Sequence, residues 1–314
     1  MENRREFIKK AGAASLLTMV PVGNLLAGEL DQIHKITILH TNDQHSRIEP
    51  FEVSTDEKYS NKGGFARRAA LIHKIRQQEE NVLLLDAGDV VQGTPYFNLF
   101  GGNLEYQLMS KMGYDVGTLG NHEFDNGLEG IKSRLPHAKF DIVIANYDFR
   151  NTMLEDVFKP YKIIQKSGVK IGIFGVGVDL NGMVSRDAYG EMKYLNPIEI
   201  AQDMSRILRE EEKCDLVVCL SHIGYEYKQD DTIVSDKHLA QKTSGIDLII
   251  GGHTHTFLPK PEEFLNAKGK TVLYNQVGWA GLFLGRIDFY LQQGKVQKYT
   301  AYDLNDYQIN DFLV

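Results

Sequence analysis

Cysteine is nearly absent: the 314 residues hold two, Cys214 and Cys219, in or beside the apolar run 216–220. That excludes a disulfide-stapled scaffold and a thiol nucleophile, and both residues read as core. Long apolar runs are missing too. No stretch approaches the ~20 residues that a membrane-spanning helix needs. Positive charge is not in excess, since 35 Lys and Arg face 42 Asp and Glu for a formal net charge of −7. Binding of a polyanion by bulk attraction is therefore excluded, and an anionic substrate would need a local cationic centre such as a bound metal. Repeats, low-complexity tracts and a convincing linker are lacking as well. With 42% hydrophobic residues, one mixed α/β domain is expected rather than two.

The first 28 residues differ from everything after them. Asn3-Arg4-Arg5-Glu6-Phe7-Ile8-Lys9-Lys10 precedes a small, weakly apolar stretch at 11–20 that Gly12 and Pro21 interrupt, and Leu25-Leu26-Ala27 offers a small-residue cleavage site. The order is that of a twin-arginine signal peptide, so residues 1–28 are expected to direct export to the periplasm and residues 29–314 to form the working domain. The rival reading is an amphipathic N-terminal helix.

Beyond the signal, strand-like runs end in Gly, Asp, Asn or His and are followed by helical patterns. Runs at 33–40 and 82–86 flank a helix at 64–78. A helix at 104–112 leads to a run at 116–119, and one at 128–137 to a run at 140–145. Such βαβ units make part of the sheet parallel. Segments 161–164 and 169–176 flank Lys166-Ser167-Gly168 as a hairpin, 197–213 reads as a helix, and 215–220 and 246–250 are buried strands. The end is β-rich, at 271–276, 284–292 and 295–304, with a turn at Gln293-Gly294. In such sheets ligands gather outside the C-terminal strand ends.

Five polar clusters stand there. Asp43-Gln44-His45 lets a carboxylate and an imidazole from one loop reach one ion, although a solvated loop would look the same. Asp89 follows Gly88, which permits close backbone approach; it suits a bridging ligand, or a helix N-cap. Gly120-Asn121-His122-Glu123-Phe124-Asp125 is more specific. Asn121 brings a neutral amide oxygen for a metal, His122 a proton donor, and Asp125 a carboxylate to orient that imidazole. His222 at a strand end reads alone as a hydrogen-bonded structural residue. His253 and His255, two apart behind Gly251-Gly252, are a strong metal signal. Lys62-Gly63-Gly64-Phe65-Ala66-Arg67-Arg68 reads as a helix start with solvated arginines, and otherwise as an anion cradle. Asn146, Tyr147, Gly278 and Trp279 read as packing, whereas Tyr96 and Phe97 are candidates to stack on a base.

Together and in this order, the clusters resemble the calcineurin-like metallophosphoesterase superfamily. Ile38-Leu39-His40-Thr41-Asn42-Asp43, residues 120–126, and residues 276–286 with their Gly285-Arg286-Ile287 ending resemble, more narrowly, the N-terminal catalytic domain of the bacterial 5′-nucleotidase and 2′,3′-cyclic phosphodiesterase family. The resemblance implies a metallo-dependent phosphatase fold, a four-layer αββα sandwich with two mixed sheets. It implies two divalent metal ions, one held by Asp43, His45, Asp89 and His255, the other by Asp89, Asn121, His222 and His253, with Asp89 bridging. Mixed nitrogen and oxygen donors favour Mn, Fe, Co or Zn. His122, oriented by Asp125, would protonate the leaving group. Some relatives carry Gln at the position of His255, and many carry His at that of Gln44, a position that is not a ligand.

The implied activity is hydrolysis of small-molecule phosphate esters, nucleotides first among them, with neither a nucleic-acid polymer nor a membrane span involved. Alternatives are a 2′,3′-cyclic phosphodiesterase, a sugar-nucleotide hydrolase, a thiosulfohydrolase-like enzyme, or a non-catalytic metal-binding protein. Against the last, a metal store needs neither His122 nor Asp125. Nucleotide-cleaving relatives grip the base in a C-terminal domain, for which this sequence has no counterpart after Leu304. A separately encoded C-terminal domain protein is therefore an expected partner.

Overall fold

The period of two along each strand decides the layering of the protein. Along β1 (His34–Thr41), Ile36 and Ile38 face one way and Leu39 the other; β2 (Val82–Asp86) likewise divides Leu83 and Leu85 from Val82 and Leu84. The first set joins Ile171, Ile173, Leu216, Val218, Leu248 and Ile250 in a core between two sheets. The second packs on Leu71, Ile72 and Ile75 of the helix Phe65–Gln78 and Met109 of the helix Asn103–Met112. Across the molecule Val217, Cys219 and Ile249 meet Ala201 of the helix Pro197–Arg206 and Leu239 of the helix Asp236–Lys242. Helix, sheet, sheet, helix is the αββα sandwich expected. Covered on both faces, its central strands read in sequence as unbroken apolar runs.

This computed structural model describes residues 32–54, 59–230 and 232–304; the twin-arginine segment lies outside them. The first sheet runs β14 (Lys295–Ala301), β13 (Gly285–Gln292), β1, β2, β3 (Val116–Gly117), β4 (Asp141–Ile142), with β1 to β4 parallel and β13 antiparallel to β1. The second runs β11 (Glu262–Leu265), β12 (Thr271–Asn275), β10 (Leu248–Gly251), β9 (Leu216–His222), β7 (Val169–Gly177), β6 (Tyr161–Lys166), its inner four strands parallel. A two-stranded ribbon pairs β5 (Tyr147–Asp148) with β8 (Lys193–Tyr194). Among the described residues no helix is long and apolar enough to cross a membrane.

Four local readings need correction. The run expected at 116–119 is in the sheet only over Val116–Gly117, because the chain leaves it early to carry Gly120 and Asn121 toward the site. The helix expected at 128–137 tightens at Leu135–His137, where Pro136 has no N–H to continue the ladder. Arg68 is not solvated: it is fully buried, its guanidinium over the Phe65 ring at 4.1 Å and donating to Gln44 Oε1. Phe97 is likewise buried in the core beside Phe65–Gln78, which removes it as a base-stacking ring. Asn146 and Tyr147 are packing residues as expected, the first bonded to Gly177 through both its N–H and its carbonyl, the second donating to Val178 O at 2.6 Å.

Candidate metal centre

The parallel strands of both sheets deliver their C-terminal ends to one place. The loops after β1, β2, β3 and β10 carry Asp43 and His45, Asp89, Asn121 and His122, and His253 and His255, and β9 itself ends on His222. Three overlapping clusters result: Asp43, His45 and His255; His45, Asp89 and His122; and Asp89, His222 and His253. Within each, the ligand atoms lie within 4.8 Å of one another. Asp89 stands between both groups of donors. Asn121 Oδ1 completes the set, 2.8 Å from His253 Nδ1.

The backbone here is held in unfavourable territory. Asp43, His45, Asp89, His253 and His255 all have positive φ, between 47° and 72°, where a side chain costs on the order of 1 kcal/mol or more. Such a conformation persists only when its surroundings enforce it. The Asp43 carboxylate accepts from His253 N at 3.0 Å, and the amides of Asp43 and His45 donate to Gly88 O and Asp89 O. Gly120 permits a close approach: a Cβ there would sit 2.2 Å from Asp89 Oδ1.

Burial makes the donors unlike ordinary surface groups. Asp43, Asp89 and His222 are at most 1% exposed. His222 Nδ1 donates to Ala87 O at 2.7 Å, since a carbonyl can only accept. Nε2 then faces inward, buried and 3.0 Å from Asp89 Oδ2. His45 Nε2 and His255 Nε2 are 2.9 Å apart, a pair of nitrogens that can share at most one proton. Burial holds His253 down to about 4 and lowers His45 too. Burial also works against a charged His222, but the Asp89 carboxylate beside it outweighs that and raises it to about 10. The centre thus demands positive charge, from a proton or a cation. Two carboxylates, an amide oxygen and four inward imidazoles fit divalent transition metals.

His122 sits differently. Its amide donates to Asp89 Oδ1 at 2.8 Å, while its Nδ1 stands 2.8 Å from Asp125 Oδ2 at the half-exposed rim. The hydrogen bond to Asp125 raises its pKa, against the opposing effect of burial.

Two supports carried no assigned role in the sequence reading. Glu123, fully buried, accepts from Asp89 N at 3.0 Å, Val90 N at 2.9 Å and Gly120 N at 2.6 Å, stapling two ligand loops together. Its place inside the 120–125 motif was the available signal. Gln44, treated as neutral because it is no ligand, bridges buried Arg68 to Asp86, donating to Asp86 Oδ2 at 2.7 Å. Burial pushes that Asp86 carboxyl up to about 7. Trp279 is the larger surprise, with its ring parallel to His255 at 5.7 Å.

A four-layer sandwich with Asp, Asn and His donors converging from five strand ends, and a His–Asp pair at the mouth, defines a metallohydrolase. More particularly, the chain belongs to the calcineurin-like phosphoesterase family, whose model matches residues 36–257. It is 35% identical to an apyrase of Tabanus yao over 281 residues, 81% of this chain and 48% of that protein. It is 34% identical to the NAD 5′-nucleotidase of Haemophilus influenzae, over 85% of this chain and 46% of that protein. The crystal structure of a 5′-nucleotidase precursor from Thermus thermophilus superposes with a TM-score of 0.77 at 32% identity, over 86% of this chain and 54% of that one. The chain spans about half the length of these relatives.

Proposed function

We propose that this protein is an exported hydrolase of phosphate monoesters, nucleotides among them, working with two divalent cations. The observation that carries the reading is the combination of a convergent donor set with His122 and Asp125, which a metal store would not need. Asp43, His45, Asp89 and His255 would hold one ion, and Asp89, Asn121, His222 and His253 the other. When bound, the pair would stabilise charge on the phosphoryl oxygens and acidify the attacking water. The chain's own part begins with orientation: Glu123 and the Asp43–His253 hydrogen bonds keep the donors in place, so little reorganisation is needed. His122 Nε2 gives its proton to the ester oxygen as the P–O bond breaks, and Asp125 fixes the ring through Nδ1 and stabilises its cation until then.

Protein loaded with Mn is expected to contain two ions per chain and to release phosphate from AMP and from simple alkyl phosphates. Metal analysis and a phosphate-release panel test this. Active protein with one ion or none, or loaded protein inert on every ester, would remove the proposal.

Export rests on Arg4, Arg5 and the apolar stretch behind them. A double Arg4→Lys, Arg5→Lys substitution is expected to leave the protein in the cytoplasm on fractionation. Undiminished periplasmic protein would overturn it.

A further inference from the structure

The wall of the metal centre continues outward as aromatic rings. Trp279, half-buried, lies flat against His255, with centroids 5.7 Å apart and an interplanar angle of 6°. Phe51 and Tyr59 stand T-shaped to it, with centroids at 5.9 and 6.1 Å, and those two rings stack on each other at 5.4 Å. The Arg47 guanidinium, 4.2 Å from the Phe51 ring, braces the far end. All three rings are half-buried, unlike the buried aromatics of the cores.

The Trp279 loop is also anchored to the ligand loops more tightly than a packing residue requires. Asn42, the neighbour of Asp43, accepts from Val277 N at 2.9 Å and donates to Gly278 O at 2.6 Å. Ala280 N donates to Asp43 O at 2.7 Å, and Gly278 N to Thr256 O, beside His255, at 3.0 Å. Both backbone neighbours of Trp279 are therefore bonded into the segments that carry metal donors, so the indole keeps a set distance from any phosphate held there. A rigid aromatic face at fixed range from an anion-holding centre recognises a substrate with a phosphate at one end and a flat ring at the other.

We propose that Trp279, with Phe51 and Tyr59, forms a stacking site within this chain for the ring of a phosphate ester's leaving group, so that nucleoside monophosphates are preferred over esters that have no ring. This rests on the phosphoesterase reading and replaces the expectation that ring recognition resides wholly in another chain. Charge plays no part in the preference, since both kinds of ester present the same phosphate to the same donors. Only the ring distinguishes them.

Trp279 is the single tryptophan of the sequence, so its fluorescence reports the site directly. Zinc-loaded protein would be titrated with the phosphonate analogue of AMP, in which CH2 replaces the scissile ester oxygen, and with the corresponding glycerol phosphonate. Saturable quenching by the first alone is expected. In parallel, Trp279→Leu should raise the KM for AMP about tenfold more than that for glycerol phosphate, within the range that loss of a base–aromatic stack produces. Metal content should be unchanged, and Trp279→Phe should recover much of the difference. Hydrolysis of both esters with no ring-dependent quenching would overturn the stacking site and leave the phosphoesterase standing. Equal losses on both esters together with lost metal would also overturn it, reducing Trp279 to a brace for His255. Ring-dependent quenching without hydrolysis would support the stacking site and sink the phosphoesterase reading instead.

Discussion

Asp89→Asn is expected to empty both metal positions together and to lower phosphate release by about a thousandfold or more. Asp89 belongs to two of the three donor clusters, one with His45 and His122 and one with His222 and His253. It is also the carboxylate nearest to His222 Nε2, at 3.0 Å. An amide of the same shape keeps one oxygen but removes the negative charge that offsets two cations. Loss of the several kcal/mol that such ions contribute to the transition state corresponds to a rate factor of about that size. Metal analysis of purified variant and wild type, alongside initial rates, is the measurement. A variant that retains two ions would show that Asp89 does not bridge. Asp43→Asn serves as the comparison: Asp43 groups with His45 and His255 only, so one position should survive it better than the other.

His122→Asn separates proton donation from metal binding. The imidazole ring stands at the half-exposed rim with Asp125 2.8 Å away, and only its backbone amide touches Asp89. The variant should keep most of its metal. It should lose about 10²- to 10⁴-fold on alkyl phosphates, whose alkoxide leaves poorly without a proton, and far less on an aryl phosphate whose phenolate leaves unaided. The ratio of the two losses is the diagnostic quantity, because a general folding defect or metal loss would depress both alike. Equal losses would remove His122 as the acid. Asp125→Asn should follow the same pattern at smaller amplitude, since it acts through the orientation of His122.

How much of this was legible before any fold was known depends on how far each feature extends along the chain. The layering was legible because a strand buried on both faces must be apolar throughout, as in Val82-Leu83-Leu84-Leu85. Each donor was legible because it follows such a run within a few residues. Strand β11 was not, since its alternating half-exposed and exposed residues Glu262–Leu265 give an edge strand little apolar signal. Arg68 was misread for a related reason. An arginine at a helix start is solvated unless something beneath it needs a donor, and that partner, Gln44, arrives from another loop.

The chain's own order of residues determined the chemistry on offer: which carboxylates, imidazoles and amide oxygens follow which strands, and the His122–Asp125 pair, whose partners are three residues apart and meet through a single 3₁₀ turn. Folding decided which of them meet. His45 and His255 are 210 residues apart in sequence and 2.9 Å apart in space; Glu123 reaches across 34 residues to Asp89; and Trp279 reaches His255 from the next loop but one. Local geometry brings together only residues within about a turn of each other. Contacts across the chain exist because two separately built sheets bury their inner faces against one another. That burial is non-directional, so no short motif records which side chains it will bring face to face at the open ends of the strands.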